Sequence, residues 1–393
     1  MCNQVNVCHL DADCYDTALG PKCVCRNGFI GDGVSCTAIQ DNCLTRPALC
    51  DRNAVCSRTS AGDFVCICNP GYRGDGSTCS PLNEKGNYLL FSQGMSIFRV
   101  PFYQAGSDRG RRILFKSGGT LVGLAADCKD RQFYYSDIST GTISRASLDN
   151  STDSHVIIAD LGSPEGLAVD WISRTLFFTD SALDRIEVSD LEGKYRKVLI
   201  DSDLVNPRAI TVDPIEGKIY WTDWNRDGPK IEAANTDGTD RQVIVDTGLG
   251  LPNGLTFDLY RQQVCWSDAG TQKLECVRPD GSGRSIIYDL ANYPFGLATF
   301  RDNFYWTDWH KNAIQSIPRG GEVLGASMLF PVGGNGKAYS IEPVASQCLP
   351  GTNECTYNNG GCPFLCLPTS NYDSTCACPD NIDQDECNQI FKS

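Results

Sequence analysis

The cysteines are the first residues of this sequence whose number and spacing point to chemistry. There are 22 cysteines in 393 residues, and all can be assigned to three sets of six, one close pair and one distant pair. Each set of six contains a Cys-x-Cys step, such as Cys23-Val24-Cys25 or Cys66-Ile67-Cys68. A one-residue gap is unlike the usual spacing of zinc ligands, so disulfides in an oxidising compartment are predicted instead. The sets are Cys2, Cys8, Cys14, Cys23, Cys25 and Cys36; Cys43, Cys50, Cys56, Cys66, Cys68 and Cys79; and Cys355, Cys362, Cys366, Cys376, Cys378 and Cys387.

A second group with chemical potential is a series of aspartates, each of which ends the phrase aromatic, aromatic, Ser or Thr, Asp. They are Asp137, Asp180, Asp223, Asp268 and Asp308. A carboxylate repeated once per segment is poor evidence for catalysis, because an active site needs one constellation. The three histidines, His9, His155 and His310, lie in different segments, and neither Gly-x-Ser-x-Gly nor His-Glu-x-x-His occurs. The sequence therefore predicts that these aspartates are structural and that the chain is not an enzyme.

The aromatic phrase recurs every 40 to 45 residues, which is the size of one four-stranded propeller blade. Each aromatic strand follows an apolar strand of small residues ending in Asp, such as Gly166-Leu167-Ala168-Val169-Asp170, which suits the crowded axis of a ring. Five blades are complete. Residues 86–117 and 337–347 supply the strands of a sixth, composite blade, and closing the ring removes exposed sheet edges. The predicted fold class is all-β, a six-bladed propeller flanked by small disulfide-rich modules.

The remaining four cysteines fit this propeller. Cys265 and Cys276 flank the second and third strands of one blade and can pair across the hairpin. Cys128 follows the inner strand of the first blade, and Cys348 follows the inner strand of the composite blade. Ring closure makes them neighbours, so we predict a disulfide that locks the ring.

Loops on one face of the propeller are the predicted binding site, because loops on a rigid scaffold commonly carry binding residues. Two loops per blade reach this face, one entering the inner strand and one leaving the aromatic strand. The entering loops present Thr120-Leu121, Pro164-Glu165, Pro207-Arg208, Pro252-Asn253, Pro294-Phe295 and Gly336-Lys337. The predicted partner-binding residues are Glu165, Arg208, Asn253, Phe295, Trp224 and Trp309. Two alternatives stay open: the tryptophans fill space between blades, and Phe295 plugs the axial channel.

Propellers of the lactonase type hold a metal at the axis, which makes a metal site the alternative chemistry for the same positions. Glu165 and Asn253 offer the oxygen ligands that a hard cation prefers. Arg208 and Phe295 put a fixed positive charge and an apolar ring where further ligands belong. The sequence therefore predicts no metal site at the axis.

Charge and hydropathy narrow the class of partner. The formal net charge is -14 and the pI is near 4.7, which argues against nucleic acid and heparin-like polyanions as partners. The first 25 residues hold no apolar run of the signal-peptide type, and no run of about 18 apolar residues could span a bilayer. We expect a secreted chain that is a piece of a longer protein with its secretion signal upstream.

The cysteine sets resemble EGF-like modules, and the order of modules resembles the C-terminal part of the nidogens (entactins). The phrases Leu161-Gly162-Ser163-Pro164-Glu165-Gly166 and Tyr220-Trp221-Thr222-Asp223-Trp224-Asn225-Arg226-Asp227 carry the likeness. It implies EGF-like modules at 1–36 and 37–80, a YWTD propeller at 86–347, and an EGF-like module with a tail at 348–393. It also implies a secreted basement-membrane linker whose propeller binds an EGF-like module of a laminin γ chain. In that family collagen IV and perlecan bind through domains missing here. The alternative is a fragment of a lipoprotein-receptor-type endocytic receptor.

Three short motifs complete the candidate sites. Arg73-Gly74-Asp75 spells an integrin-binding tripeptide, although the first module has Gly31-Asp32-Gly33 at the same place, so Gly-Asp-Gly belongs to the module architecture. Gln40-Asp41-Asn42 is an incomplete calcium-binding lead, and Arg58 stands where calcium-binding modules prefer Asp or Asn, so no calcium or other cofactor is predicted. Asn150-Ser151-Thr152 is an N-glycosylation sequon in a turn on the face opposite the binding loops.

Overall fold

The computed structural model of the chain consists of two compact units, Met1–Leu82 and Asn83–Ser393. The structure describes residues 8–17, 20–26, 29–38, 43, 46, 49–58, 64–68, 72–73, 76–81, 87–102, 110–319, 326–329, 336–370 and 372–390. No helix in these ranges is long and apolar enough to cross a membrane.

Short hairpins stapled by disulfides make up the first unit, as small modules without a large core require. The hairpins are β1 (Ala12–Thr17) with β2 (Gly20–Cys25), β3 (Phe29–Gly31) with β4 (Cys36–Ala38), β5 (Ala54–Arg58) with β6 (Phe64–Cys68), and β7 (Tyr72–Arg73) with β8 (Ser80–Pro81). The bonds are Cys8–Cys23, Cys25–Cys36, Cys43–Cys56, Cys50–Cys66 and Cys68–Cys79. Cys14 is also disulfide-bonded, and Cys2 lies outside the described residues.

Six four-stranded sheets form the propeller in the second unit. Blade 1 is β12 (Leu121–Asp127), β13 (Gln132–Asp137), β14 (Thr142–Ser147) and β15 (Ser154–Ile158); blade 2 is β16 (Pro164–Asp170), β17 (Thr175–Asp180), β18 (Arg185–Asp190) and β19 (Arg196–Ile200); blade 3 is β20 (Pro207–Asp213), β21 (Lys218–Asp223), β22 (Lys230–Asn235) and β23 (Gln242–Val245). Blade 4 is β24 (Pro252–Asp258), β25 (Gln263–Asp268), β26 (Lys273–Val277) and β27 (Ser285–Tyr288); blade 5 is β28 (Pro294–Phe300), β29 (Asn303–Asp308), β30 (Ala313–Pro318) and β31 (Ala326–Leu329). The fold class predicted from the repeat is confirmed.

The sixth blade is composite. Its strands run in the order β11 (Arg111–Phe115), β10 (Ser96–Val100), β9 (Tyr88–Gln93) and β32 (Ala338–Val344). The C-terminal piece is the inner strand, as the sequence predicts. Just beyond it Cys348 bonds to Cys128, and Cys265 bonds to Cys276 across its hairpin.

The repeated aspartate holds the loops of the face predicted to bind a partner, which we call the top face. Asp180 is buried and accepts hydrogen bonds from the amides of Gly162 and Ser163 in the loop entering blade 2. It also accepts from Ala182 and Leu183 in the loop leaving β17. Asp268 and Asp308 do the same in blades 4 and 5. In these three blades one carboxylate therefore fixes both loops, which is the structural role predicted for it.

The Ser or Thr of the same phrase links neighbouring blades. The Ser267 hydroxyl donates to the Phe295 carbonyl at 2.7 Å, and Thr307 donates to Tyr339 at 2.8 Å. The aromatic residues of the phrase are buried between blades, and Trp221, Trp266 and Trp306 have no exposed surface. The motif is thus the packing and hydrogen-bonding frame of the ring.

An ion pair between a buried glutamate and a partly exposed arginine occurs in three blades and was not anticipated from the sequence. A glutamate of the third strand binds an arginine that begins the fourth strand or directly precedes it, and the guanidinium lies over an aromatic ring of the second strand. The sets are Glu187, Arg196 and Phe178; Glu232, Arg241 and Trp221; and Glu275, Arg284 and Trp266. Because each glutamate is paired with an arginine, burial of its charge is tolerated.

The third EGF-like module is part of the second unit and covers part of the bottom face. It contains a 3-10 helix (Asn358–Gly361), β33 (Leu365–Thr369), β34 (Asp373–Ala377) and α1 (Gln384–Ile390). Its disulfides are Cys355–Cys366, Cys362–Cys376 and Cys378–Cys387. The Asn353 amide donates to Ser173 and to the Pro214 carbonyl, each at 2.8 Å, and Leu365 and Leu367 join the core of blades 2 and 3. The module that the sequence sets apart at 348–393 therefore shares a core with the propeller.

Docking of this module leaves the inner-strand carboxylate of blade 2 without an ion pair. Asp127 of blade 1 is held by Arg174 of blade 2. Asp170 has the equivalent place in blade 2, but the residue matching Arg174 is Gly217, where a Cβ atom would lie 2.5 Å from the Pro368 carbonyl of the module. Asp170 accepts from the Ile172 and Ser173 amides, while its Oδ2 has no partner among the described residues. Burial raises the pKa of Asp170 to about 6.

Asp170→Asn is expected to stabilise the second unit at pH 7. The folded pKa lies above the ordinary value of about 3.9, so ionisation is costlier in the folded state and stability falls as pH rises from about 4 to 6. Asparagine keeps the acceptor and removes the charge, which should raise the free energy of unfolding by about 1 to 3 kcal/mol. Denaturant titrations from pH 4 to 7 measure this. Asp127→Asn is the control and should destabilise, and a stabilised control or an unchanged Asp170→Asn would contradict the argument.

Candidate functional site

Six side chains at the start of the inner strands surround the upper mouth of the axial channel, and we call this ring the rim. Strand pairing places them at equivalent positions, each two residues before the partner of the second aromatic residue. They are Val122, Glu165, Arg208, Asn253, Phe295 and Tyr339. In blades 1 and 6 the rim residues Val122 and Tyr339 lie one and two residues beyond the pairs Thr120-Leu121 and Gly336-Lys337 that the sequence assigns to the entering loops. The composite strand is aligned by pairing of Ala338 with Gln93, which the repeat does not reveal.

Glu165 and Arg208 form an ion pair on one side of the rim. Ser181 donates to the second oxygen of Glu165 at 2.9 Å, and the Arg208 guanidinium lies 4.0 Å from the centre of the Trp224 ring. Side-chain exposures are 10% for Glu165 and 21% for Arg208. Burial raises the pKa of Glu165, and Arg208 offsets part of that rise. Three residues predicted separately are thus one connected group whose charged atoms are partly desolvated.

Asn253 is buried rather than exposed. Its side chain is 4% exposed, and its Nδ2 donates to the Pro294 carbonyl of the next blade at 3.1 Å. The expectation that Asn253 makes a direct polar contact from an exposed loop is therefore not supported. Its removal would disturb the junction of blades 4 and 5, so Asn253→Ala cannot separate binding from folding.

An aromatic cluster forms the opposite side of the rim. The Trp309 ring stacks between Tyr293 and Phe295, with centroid distances of 5.0 and 4.7 Å. Tyr339 packs edge-on against Phe295 and Trp309 at 5.4 and 5.7 Å. The Trp309 indole N–H donates to the Ala338 carbonyl, which ties blade 5 to blade 6. Trp309 is therefore both rim surface and inter-blade packing, and sequence reasoning missed Tyr293 and Tyr339.

The axial channel continues below the rim as a cavity of about 500 Å³. Phe295 is 9% exposed and lines its mouth, so its ring both narrows the channel and supports Trp309. A lactonase-type metal site does not fit these residues, because the charge of Glu165 is already paired with Arg208, and Phe295 puts an apolar ring where a further ligand belongs. Among described residues one cluster has metal-ligand spacing, Cys43, Cys50 and Cys66, and its sulfurs belong to two disulfides.

Asn150 lies on the face opposite the rim, in the turn between β14 and β15. Its side chain is exposed, and its Oδ1 accepts from the Thr152 hydroxyl of the same sequon at 2.7 Å. We predict a glycan at Asn150 in protein secreted from animal cells. Peptide mass spectrometry before and after glycosidase treatment measures it, with Asn150→Gln as the unmodified reference. A fully unmodified Asn150 peptide would contradict the prediction.

The remaining motifs of the first unit are only partly described. Arg73 ends β7, whereas Gly74 and Asp75 lie outside the described residues, so integrin binding stays a prediction. Gly33 and Gly76 have φ angles of 88° and 85° and press against Cys23 and Cys66, which supports Gly-Asp-Gly as module architecture. The calcium lead at 40–42 is also outside the described ranges.

Comparisons with known proteins agree with this architecture. The profile of the low-density lipoprotein receptor repeat class B matches residues 131–171, 174–214 and 217–259, and that of the EGF domain matches 43–79. Nidogen-1 of Mus musculus is 58% identical over 299 residues, which are 75% of this chain and 24% of that protein. The chain thus spans about a quarter of the length of that relative.

Comparison with solved structures also finds a nidogen-related chain and the propeller fold. A chain from the crystal structure of a nidogen/laminin complex superposes with a TM-score of 0.63 and 43% identity, covering 67% of this chain and 100% of that one. A gluconolactonase of Xanthomonas campestris matches with a TM-score of 0.50 and 17% identity over 66% of this chain and 89% of its own, which shows the fold alone. The identities and the complete coverage of the nidogen-complex chain show that this chain belongs to the nidogen family.

Proposed function

We propose that this chain is the C-terminal part of a secreted basement-membrane linker, and that its propeller rim binds an EGF-like module of a laminin γ chain. The observation that supports this most directly is the likeness to a chain from a nidogen/laminin complex, which this chain covers over its full length. The whole protein would reside in the extracellular matrix. Collagen IV and perlecan would bind through regions outside this chain.

The rim has the physical character of a protein-binding surface. One side carries the Glu165–Arg208 pair on Trp224, and the other carries the Trp309 cluster. Interface hot spots favour Trp, Tyr and Arg in partly desolvated positions. The repeated aspartates hold both loops of several blades, so little conformational entropy is lost on binding.

The alternative is a fragment of a lipoprotein-receptor-type endocytic receptor, which the class B repeat profile also fits. The nidogen likeness is favoured because it extends over 75% of the chain at 58% identity, well beyond the three matched repeats. Within the described residues the rim does not support an enzymatic role, because Glu165 and Arg208 are paired with each other. Turnover of a lactone by metal-treated protein would argue against the non-enzymatic function.

Direct binding to laminin γ-chain EGF-like modules tests the proposal. The full chain should bind an immobilised array of these modules saturably, and soluble array should compete. An array of EGF-like modules from a laminin α chain is the matched control and should bind at least tenfold more weakly. Equal binding to both arrays, or none to either, would contradict the proposed function.

A further inference from the structure

One carboxyl group inside the axial channel has no counterpart in the other blades. Strand pairing aligns Glu342 of β32 with five small residues of the other inner strands. These are Ala125, Ala168, Thr211, Thr256 and Ala298. Small residues suit the crowded axis, so a glutamate at the sixth position departs from what the ring requires.

Capping of a neighbouring amide does not account for this glutamate. The backbone amide of Ala126 in the next blade interacts with the Glu342 carboxyl group and favours its ionised form. Thr211 makes the equivalent bond to the amide of Phe257 at 3.2 Å. Because a threonine hydroxyl is enough for the same bond in blade 3, the second carboxylate oxygen is surplus to the fold.

The charges around Glu342 leave it without an ionic partner within the described part of the chain. No described ion pair includes Glu342, while Arg208 at the rim is paired with Glu165. The strands packed most closely against β32 are β9, β12, β28 and β29. β9 and β28 carry no charged side chain, Asp127 at the end of β12 is held by Arg174, and Asp308 at the end of β29 accepts from loop amides. Arg301 follows β28 and lines the channel, and its guanidinium lies over the Phe300 ring at 5.0 Å. Glu342 therefore presents a half-buried carboxyl group to the channel, and no cationic side chain forms an ion pair with it among the described residues.

The channel has the size and lining of a small-molecule site. Its volume of about 500 Å³ lies within the usual range for ligand pockets. Leu124, Leu255 and Leu297 offer apolar surface, and Thr256 and Thr299 place hydroxyls on the wall. We propose that the axial channel binds a small organic cation, an ammonium group on an apolar body, with the Glu342 carboxylate as its counterion.

Proton release accompanies this binding. Burial raises the pKa of Glu342 to about 8, with the Ala126 amide offsetting part of the rise. The carboxyl group is therefore mostly protonated at neutral pH and must lose its proton when the cation enters. Affinity rises with pH until the carboxyl group is ionised, by about twentyfold between pH 6.5 and 8.5.

Phenethylammonium is a suitable probe, with 2-phenylethanol as its neutral counterpart. An alkylammonium keeps its charge at both pH values, because its ordinary pKa is about 10. Titrations of the full chain, followed by calorimetry and ligand-observed NMR, should show the ammonium binding at least tenfold tighter than the alcohol at pH 8.5. They should also show the affinity rising with pH.

Glu342→Gln keeps an acceptor for the Ala126 amide and should abolish both the ammonium preference and the pH dependence. Thr211→Val is the control in the same ring and should retain both. If the Gln variant fails to fold, the wild-type comparison of ammonium with alcohol still decides. No ammonium binding, equal affinity for the two probes, or unchanged binding by folded Glu342→Gln would overturn the proposal.

Discussion

Arg208→Ala is expected to weaken binding to the laminin γ-chain EGF-like module at least tenfold. Arg208 is 21% exposed, pairs with Glu165 and lies over Trp224, so a partner docking on the rim removes its remaining water. Truncating one desolvated charged residue in such an interface commonly costs about 2 to 5 kcal/mol, and 1.4 kcal/mol is already tenfold. Surface plasmon resonance on the immobilised module measures the change, most of it in the dissociation rate.

The matched variants separate the loss of charge from damage to the fold. The double variant Glu165→Gln with Arg208→Gln keeps hydrogen-bonding groups and leaves no charge unpaired, so its melting temperature should stay near that of the wild type while binding stays weak. Asp280→Ala is the bottom-face control, because Asp280 is exposed and caps only its own turn. Asp237 is unsuitable, since it accepts from Thr375 of the docked module. Normal binding by the rim variants, or lost binding in Asp280→Ala, would show that the rim is not the interface.

The ring can be predicted from the repeat because every complete blade needs the same residues for packing and for holding its loops. Aromatic pairs fill the space between blades, and a buried aspartate must satisfy two loops, so five copies of the phrase determine five blades. The composite blade follows by counting strands. The five complete blades and the composite blade can therefore be predicted without knowledge of any particular contact.

The repeat does not predict contacts between segments that are unrelated in sequence. Tyr339 escaped prediction because the register of β32 depends on pairing with Gln93, more than 200 residues earlier in the chain. Asn253 follows the same pattern as Arg208 in sequence, yet its short side chain turns to Pro294 and is buried. Docking of the third EGF-like module was likewise hidden, because Gly217 reads as an ordinary turn glycine.

Removing the Cys128–Cys348 disulfide should lower the melting temperature of the second unit by about 10 °C. The bond closes a loop with a sequence separation of 220, for which the chain-entropy model gives about 5 kcal/mol. A domain of this size loses roughly 2 °C per kcal/mol. The double alanine variant, followed by calorimetry, gives the shift, and laminin binding below the transition should be unchanged because neither cysteine lies on the rim.

The Cys265–Cys276 bond provides the control for loop length. Its sequence separation is 11, for which the same model gives about 3 kcal/mol, so its double alanine variant should melt above the first. The difference has a structural origin, because the long bond joins the inner strand of blade 1 to the segment after β32 and so closes the ring, whereas the short bond lies within one hairpin. Peptide mapping that pairs Cys128 with another cysteine, or a smaller shift for the long loop than for the short one, would show that the ring is held closed by strand pairing alone.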